Sequence, residues 1–184
     1  MIYFVGAGSG AADLITVRGA RLLERADLVV WAGSLVNREL LSYCRKDCEI
    51  YDSASMTLEE TDALLQAAAR AEKLCVRLHT GDPCLYGAIR EQMDALDRMG
   101  VSWSVTPGVS SVFGAAAALR AEYTLPGVSQ SLIVTRLAGR TGGVPEAESL
   151  SSLAGHGASM AVFLSAGMLE QVRSELLAGG YPPD

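Results

Sequence analysis

The sequence predicts an α/β protein built around a mostly parallel sheet, and three observations carry that expectation. Short apolar runs of strand length alternate with segments of helical spacing along residues 1–106. Strands that are each followed by a helix return to the sheet in parallel. Three of the strand-like runs end in glycine-containing loops, at 6–10, 80–87 and 107–111. Loops that follow the strands of an open parallel sheet are where such sheets bind ligands.

The most informative loop follows the strand predicted at 74–78. It reads His79-Thr80-Gly81-Asp82-Pro83-Cys84-Leu85-Tyr86-Gly87 and runs into a helix at 88–99. Turn chemistry alone could account for it, since glycine supplies unusual backbone angles and Asp-Pro starts turns. The strand at 1–5 ends in Gly6-Ala7-Gly8-Ser9-Gly10, and the helix at 16–26 carries Val17, Ala20, Leu22 and Leu23 along one side. This is an incomplete dinucleotide fingerprint. The third glycine is missing from its usual distance, and no acidic residue ends the strand at 28–31 to hold a ribose hydroxyl. The glycines let the backbone approach something closely, or merely turn.

The alternation continues with a helix at 37–43, a strand at 49–51, a helix at 57–72 and a strand at 101–106. Thr57 and Glu60 have the spacing of a capping box. The fifth strand ends in Thr106-Pro-Gly-Val-Ser-Ser111, where Ser110 or Ser111 can cap the small-residue helix at 112–121. Amides exposed at such a helix start can also meet a ligand's polar groups.

Tyr123-Thr-Leu-Pro126-Gly127 interrupts the pattern, so residues 1–121 read as one domain and 122–184 as a second. The second holds a strand at 131–135, a polar loop at 136–145, a helix at 146–153, a strand at 160–164 and a helix at 168–178. Two strands cannot form a well-covered independent sheet. The second domain therefore reads as partial, either truncated or completed by another chain.

Composition narrows the classes. A chain of 184 residues buries about 70% of its unfolded surface without help from disulfides or metal. The net charge of −6 argues against a nonspecific nucleic-acid binder, which needs a basic face. No apolar run approaches the roughly 20 residues of a spanning helix, and the first residues read as a strand with no basic leader. The expectation is a soluble cytoplasmic protein with no membrane or nucleic-acid partner. Cys44, Cys48, Cys75 and Cys84 lack the paired spacing of a zinc site. They read as free thiols in a reducing compartment, with no metal.

With Gly6-Ala-Gly8-Ser-Gly10, Thr16-Val-Arg-Gly19, His79-Thr-Gly81-Asp82-Pro83, Tyr86-Gly87 and Pro107-Gly108-Val-Ser-Ser111 all in order, the chain resembles the tetrapyrrole methylase family. Trp31-Ala-Gly-Ser-Leu-Val-Asn37, Asp52-Ser-Ala-Ser-Met-Thr57 and Tyr123-Thr-Leu-Pro-Gly-Val-Ser-Gln130 with Thr135-Arg136 make it most similar to the corrin-pathway members. The resemblance implies two α/β domains with a cleft between them, in which S-adenosylmethionine binds folded up. It also implies methyl transfer to a ring carbon of a tetrapyrrole, and a homodimer. By motif it assigns the cofactor to Thr80, Gly81, Asp82, Leu85, Ser110 and Ser111, with Ser165 or Ala166 after the strand at 160–164. Family members usually have Pro and an acidic residue where this chain has Ser9 and Ala11, and they run on past Asp184.

Methyl transfer from a sulfonium to carbon is an in-line displacement, so alignment is the main requirement, worth about 7–11 kcal/mol of barrier. No side-chain nucleophile is needed. Asp82 and His79 are the candidates for a base. An Asp in a Gly-Asp-Pro turn more often accepts backbone amides, and His79 reads equally as a structural histidine. His156 reads as a loop residue. The substrate's acetates and propionates call for forked arginine contacts, for which Arg38, Arg136 and Arg140 are candidates. Gly8, Ser9 and Gly10 would approach the ring, and the glycine-rich loop at 139–145 could close over it. Relatives in the family that modify RNA or a translation factor set one alternative acceptor class. A noncatalytic assembly module is the other alternative.

Overall fold

The protein, described here from a computed structural model over residues 1–139 and 142–183, divides into two compact units, Met1–Ala115 and Ala116–Asp184. The first is organised around five parallel strands: β1 Ile2–Gly6, β2 Leu28–Trp31, β3 Glu49–Asp52, β4 Cys75–His79 and β5 Trp103–Thr106, in the spatial order β3-β2-β4-β1-β5.

The central strands read as continuous apolar runs because both of their faces are covered. Alternate residues supply two cores. Val5, Val29, Trp31, Val76 and Leu78 pack with Leu22 and Leu23 of α1 (Val17–Arg25) on one face. Ile2, Phe4, Leu28, Val30 and Cys75 pack with Leu65 and Ala68 of α2 (Leu58–Arg70) and Leu96 of α3 (Arg90–Arg98) on the other. The edge strand β3 is exposed and carries Glu49, paired with Lys73, and Asp52. Charge at an edge discourages pairing with another chain.

The helix starts follow the sequence closely. Thr16 caps α1 by accepting from the Gly19 amide at 3.1 Å. Thr57 and Glu60 form the expected reciprocal capping box, at 3.2 and 2.8 Å. Two expected helices differ. The segment expected as a helix at 37–43 is a 3₁₀ helix, Arg38–Tyr43, capped by Asn37. The segment at 146–153 divides at Ser149 into a 3₁₀ turn and α5, Leu150–Ala154, because the Ser149 hydroxyl accepts from the Ser152 amide. Helix α3 begins two residues later than expected, since Tyr86 and Ala88 adopt φ of 55° and 50°. Those angles are incompatible with a right-handed turn.

The helix named here α4, Ser111–Leu119, runs across the division of the units. In the second unit, β6 Leu132–Arg136 and β7 Ser159–Phe163 pair in parallel. α6 Leu169–Ala178 follows, and Gly179 at its end lies so close to α5 that a Cβ there would stand 2.4 Å from that of Ala154. Ser159 ties the stretch at 123–130 to the start of β7, donating to the Tyr123 carbonyl at 2.6 Å while its amide reaches Ser129 Oγ at 3.0 Å. Among the described residues no helix is long and apolar enough to cross a membrane.

Candidate active site

Strands β4, β1 and β5 are neighbours in that order, so the loops that leave them emerge side by side at the carboxyl edge. Gly8 and Gly81 exchange backbone hydrogen bonds of 3.3 and 2.9 Å, and the Ala7 amide donates to the His79 carbonyl at 2.7 Å. Both glycines have positive φ, 85° and 58°, a region that side chains disfavour. The third loop closes tighter still. A Cβ on Gly6 would lie 2.6 Å from Gly108 Cα, and one on Gly108 would lie 2.2 Å from the Gly81 carbonyl oxygen. Glycine at 6 and 108 is what lets three backbones meet.

Asp82 fastens this junction. One carboxylate oxygen accepts from the Cys84 amide at 2.8 Å and the other from the Gly108 amide at 3.0 Å. A Cβ on Gly81 would stand 3.6 Å from Ser110 Cα and 3.5 Å from the Ser111 nitrogen. Ser110 is buried at the start of α4, where its carbonyl accepts from Phe113 and Gly114 and its hydroxyl from Val112. The structure thus brings Gly8, Gly10, Thr80, Gly81, Asp82, Ser110 and Ser111 to one edge of the first unit, with Leu85 exposed in the same loop as Asp82. In the second unit, Ser165 is buried after β7, accepting from the Leu137 amide at 3.2 Å and donating to the Phe163 carbonyl at 2.7 Å. With Ala166, Val162, Leu164 and Leu169 it lines a hollow of about 480 Å³.

The side chains refine the expected roles. His79 is 7% exposed, its Nε2 has no hydrogen-bond partner, and its ring centre lies 6.1 Å from that of Phe4. Burial first, and then the charge of Arg77, push its pKa down to about 3. Burial and the Arg77 charge thus make this imidazole a weak base, since the site disfavours the charged form it would become on taking up a proton. Asp82 has both oxygens engaged by amides, the loop-holding arrangement expected of such a turn.

The hydroxyl of Ser9 turns inward. It is buried without a partner beside α4, where a Cβ on Gly114 would come within 2.4 Å of it. Ser9 therefore does not present its hydroxyl to solvent. Arg136 directs its guanidinium to the carbonyls of Leu137, Gly142 and Gly143, at 3.3–3.4 Å. It shapes the loop that follows β6. Arg140 lies outside the described residues, and Arg38 and His156 are exposed.

Several bracing residues were not singled out from the sequence. Arg77, inside a central strand, donates to the Val30 carbonyl at 3.3 Å and to Ser53 Oγ at 3.0 Å. Asn37 Nδ2 donates to the Gly10 carbonyl at 3.0 Å. Asp52 accepts from the Gly33 and Ala54 amides at 2.9 Å each. The available signal was a charge within the apolar run Cys75-Val-Arg77-Leu-His79, together with the quoted stretches at 31–37 and 52–57. Among the described residues no group of His, Cys, Asp and Glu could hold a metal ion.

A parallel sheet whose glycine loops are clasped at its carboxyl edge defines an α/β protein built to hold a ligand against backbone atoms. The chain belongs to the tetrapyrrole methylase family: the family profile described as Tetrapyrrole (Corrin/Porphyrin) Methylases matches residues 1–184. It is 50% identical over 180 residues to a cobalt-precorrin-4 C(11)-methyltransferase of Methanocaldococcus jannaschii, covering 98% of this chain and 69% of that protein. It is 42% identical over 183 residues to a precorrin-4 C(11)-methyltransferase of Mycobacterium tuberculosis, covering 100% and 73%. Among solved structures, a cobalt precorrin-4 methyltransferase superposes with a TM-score of 0.94 at 46% identity, over 100% of this chain and 76% of that one. A uroporphyrin-III C-methyl transferase from Thermus thermophilus complexed with S-adenosyl homocysteine gives 0.81 at 30% identity, over 99% and 73%.

Proposed function

We propose that this chain is an S-adenosylmethionine-dependent methyltransferase that methylates C11 of precorrin-4, or of its cobalt form, in cobalamin biosynthesis. The single observation that carries the reading is the junction of Gly8, Gly81 and Gly108 fastened by Asp82. Its setting is a chain 42–50% identical to proteins named for that reaction. Those names favour the corrin acceptor over an RNA or translation-factor acceptor and over a noncatalytic module.

The residues present fit the cofactor. The edge has open space at Gly10, where a Cβ would meet nothing within 4 Å. The Asp82 carboxylate is engaged by the Cys84 and Gly108 amides. In this reading Thr80, Gly81, Leu85, Ser110 and Ser111 hold S-adenosylmethionine at the edge of the first unit, while Asp82 holds the loops. When bound, the cofactor would supply a sulfonium methyl group open to attack by an electron-rich ring carbon, with S-adenosylhomocysteine as the leaving group. The protein's part is to fix the line of approach and exclude water. Neither His79 nor Asp82 need act as a base. A cytoplasmic location and a homodimer complete the proposal.

Mass spectrometry of protein incubated with precorrin-4 and S-adenosylmethionine should show one added methyl group. Methylation of RNA with none on the pigment would replace the reading.

A further inference from the structure

Three of the chain's 15 basic residues, Arg18, Arg21 and Arg25, fall within one helix, α1. Their spacing of three, four and seven residues sets them along one side of it. All three are exposed, and with Val17 and Leu22 they line a groove of about 400 Å³. Like charges at these spacings repel, and Arg18 lies in the first turn, where the helix dipole opposes a cation.

Neighbouring carboxylates do not relieve the repulsion. Arg45 pairs with Asp27 and Asp47, and Arg90 with Asp94, but among the described residues no carboxylate pairs with Arg18, Arg21 or Arg25. Glu24, the one acid of α1, is exposed and bonds to none of them. The position of the helix gives the face a direction. Gly8 packs against the Leu14 carbonyl, where a Cβ would stand 2.6 Å away, and α1 begins at the Thr16 cap just beyond. The row of arginines therefore starts beside the glycine loop and leads away from it.

We propose that the Arg18, Arg21 and Arg25 face of α1 is a carboxylate-binding strip that captures the acetate and propionate groups of the tetrapyrrole and delivers it to the glycine-loop edge. The proposal rests on the acceptor named under Proposed function. Guanidinium groups match carboxylates in forked geometry, and Val17, 67% exposed, gives the ring edge an apolar contact. A cationic strip on a chain of net charge −6 focuses a polyanion onto one place instead of the whole surface.

The probe is uroporphyrin, which carries an acetate and a propionate on every ring, titrated by its fluorescence. Arg18→Gln/Arg21→Gln/Arg25→Gln should weaken binding about tenfold at low salt, with the difference shrinking as salt is added. The triple Arg→Lys variant, which keeps the charges but not the forked geometry, should recover part of the binding. Equal binding by wild type and the Gln variant overturns the strip, and so does equal wild-type affinity for the methyl ester, in which the charges are capped. Polyglutamate that displaces uroporphyrin as effectively as more uroporphyrin does would reassign the face to an acidic protein. Calorimetry with S-adenosylhomocysteine tests the cofactor site separately from the strip. Wild type and variant that bind it alike, yet do not differ toward uroporphyrin, remove the strip alone. A wild type that fails to bind it removes the methyltransferase reading, whatever the strip does.

Discussion

The carboxylate of Asp82 reaches across 26 residues of sequence to accept the Gly108 amide at 3.0 Å, joining the loop after β4 to the loop after β5. The same side chain also accepts the Cys84 amide within its own turn. One residue therefore sets both the shape of a loop and its distance from the next.

Removing that carboxylate leaves two amides without their acceptor. Asp82→Ala should lower stability by about 1–3 kcal/mol and weaken S-adenosylhomocysteine binding at least about tenfold, a loss of about 1.4 kcal/mol. Thermal unfolding and calorimetry read the two effects. Asp82→Asn keeps one acceptor and should fall between. Cofactor affinity unchanged in Asp82→Ala would show that the junction is not the cofactor's seat.

Gly108→Ala tests the close approach of the loops. Its Cβ would meet the Gly81 carbonyl at 2.2 Å and Gly6 Cα at 2.8 Å, all backbone that cannot turn aside. The expected destabilisation exceeds about 3 kcal/mol, in the range of severe overpacking. Gly167→Ala is the contrast, since a Cβ there meets nothing within 4 Å. That variant should stay within about 0.5 kcal/mol of the parent in denaturant unfolding.

His79 should make stability depend on pH. In the unfolded chain its imidazole takes up a proton near pH 6.5, whereas in the folded chain it does so only near 3. Between those values the unfolded state binds more protons, so stability falls as pH drops through the window, by up to about 1.4 kcal/mol per pH unit. Urea unfolding between pH 7 and 5, where most carboxylates are still ionised, should show a slope that His79→Gln reduces. An identical slope in the variant would mean that the imidazole is not held neutral.

Thr57→Ala removes the hydroxyl half of the capping box on α2. A loss of about 0.5–2 kcal/mol in stability is expected. S-adenosylhomocysteine affinity should be unchanged, because the hydrogen bonds of Thr57 lie within the start of α2. A drop in affinity as large as that of Asp82→Ala would show that stability, and not the junction, governs binding.

The local rules were legible in the sequence because they act over a few residues. The capping box at Thr57 and Glu60, the apolar strands and the glycine loops all follow from neighbours in the chain. The segment expected as a helix at 37–43 forms a 3₁₀ helix at 38–43, and the two periods diverge too little over so short a run for the sequence to separate them. The resemblance to tetrapyrrole methylases also came from residues in order, and the profile matched along residues 1–184 bears it out.

What only the tertiary structure decided is which distant groups meet. The sheet order that seats β1 between β4 and β5 brings Gly6, Gly81 and Gly108 to within contact, and no spacing in the chain encodes that encounter. Burial then changed the meaning of residues whose identity was plain from the start. His79 became a neutral imidazole, Ser9 turned its hydroxyl inward, and Arg77 became a brace between strands. Sequence carries propensity and chemistry, whereas desolvation and long-range hydrogen bonding exist only once the chain has closed on itself.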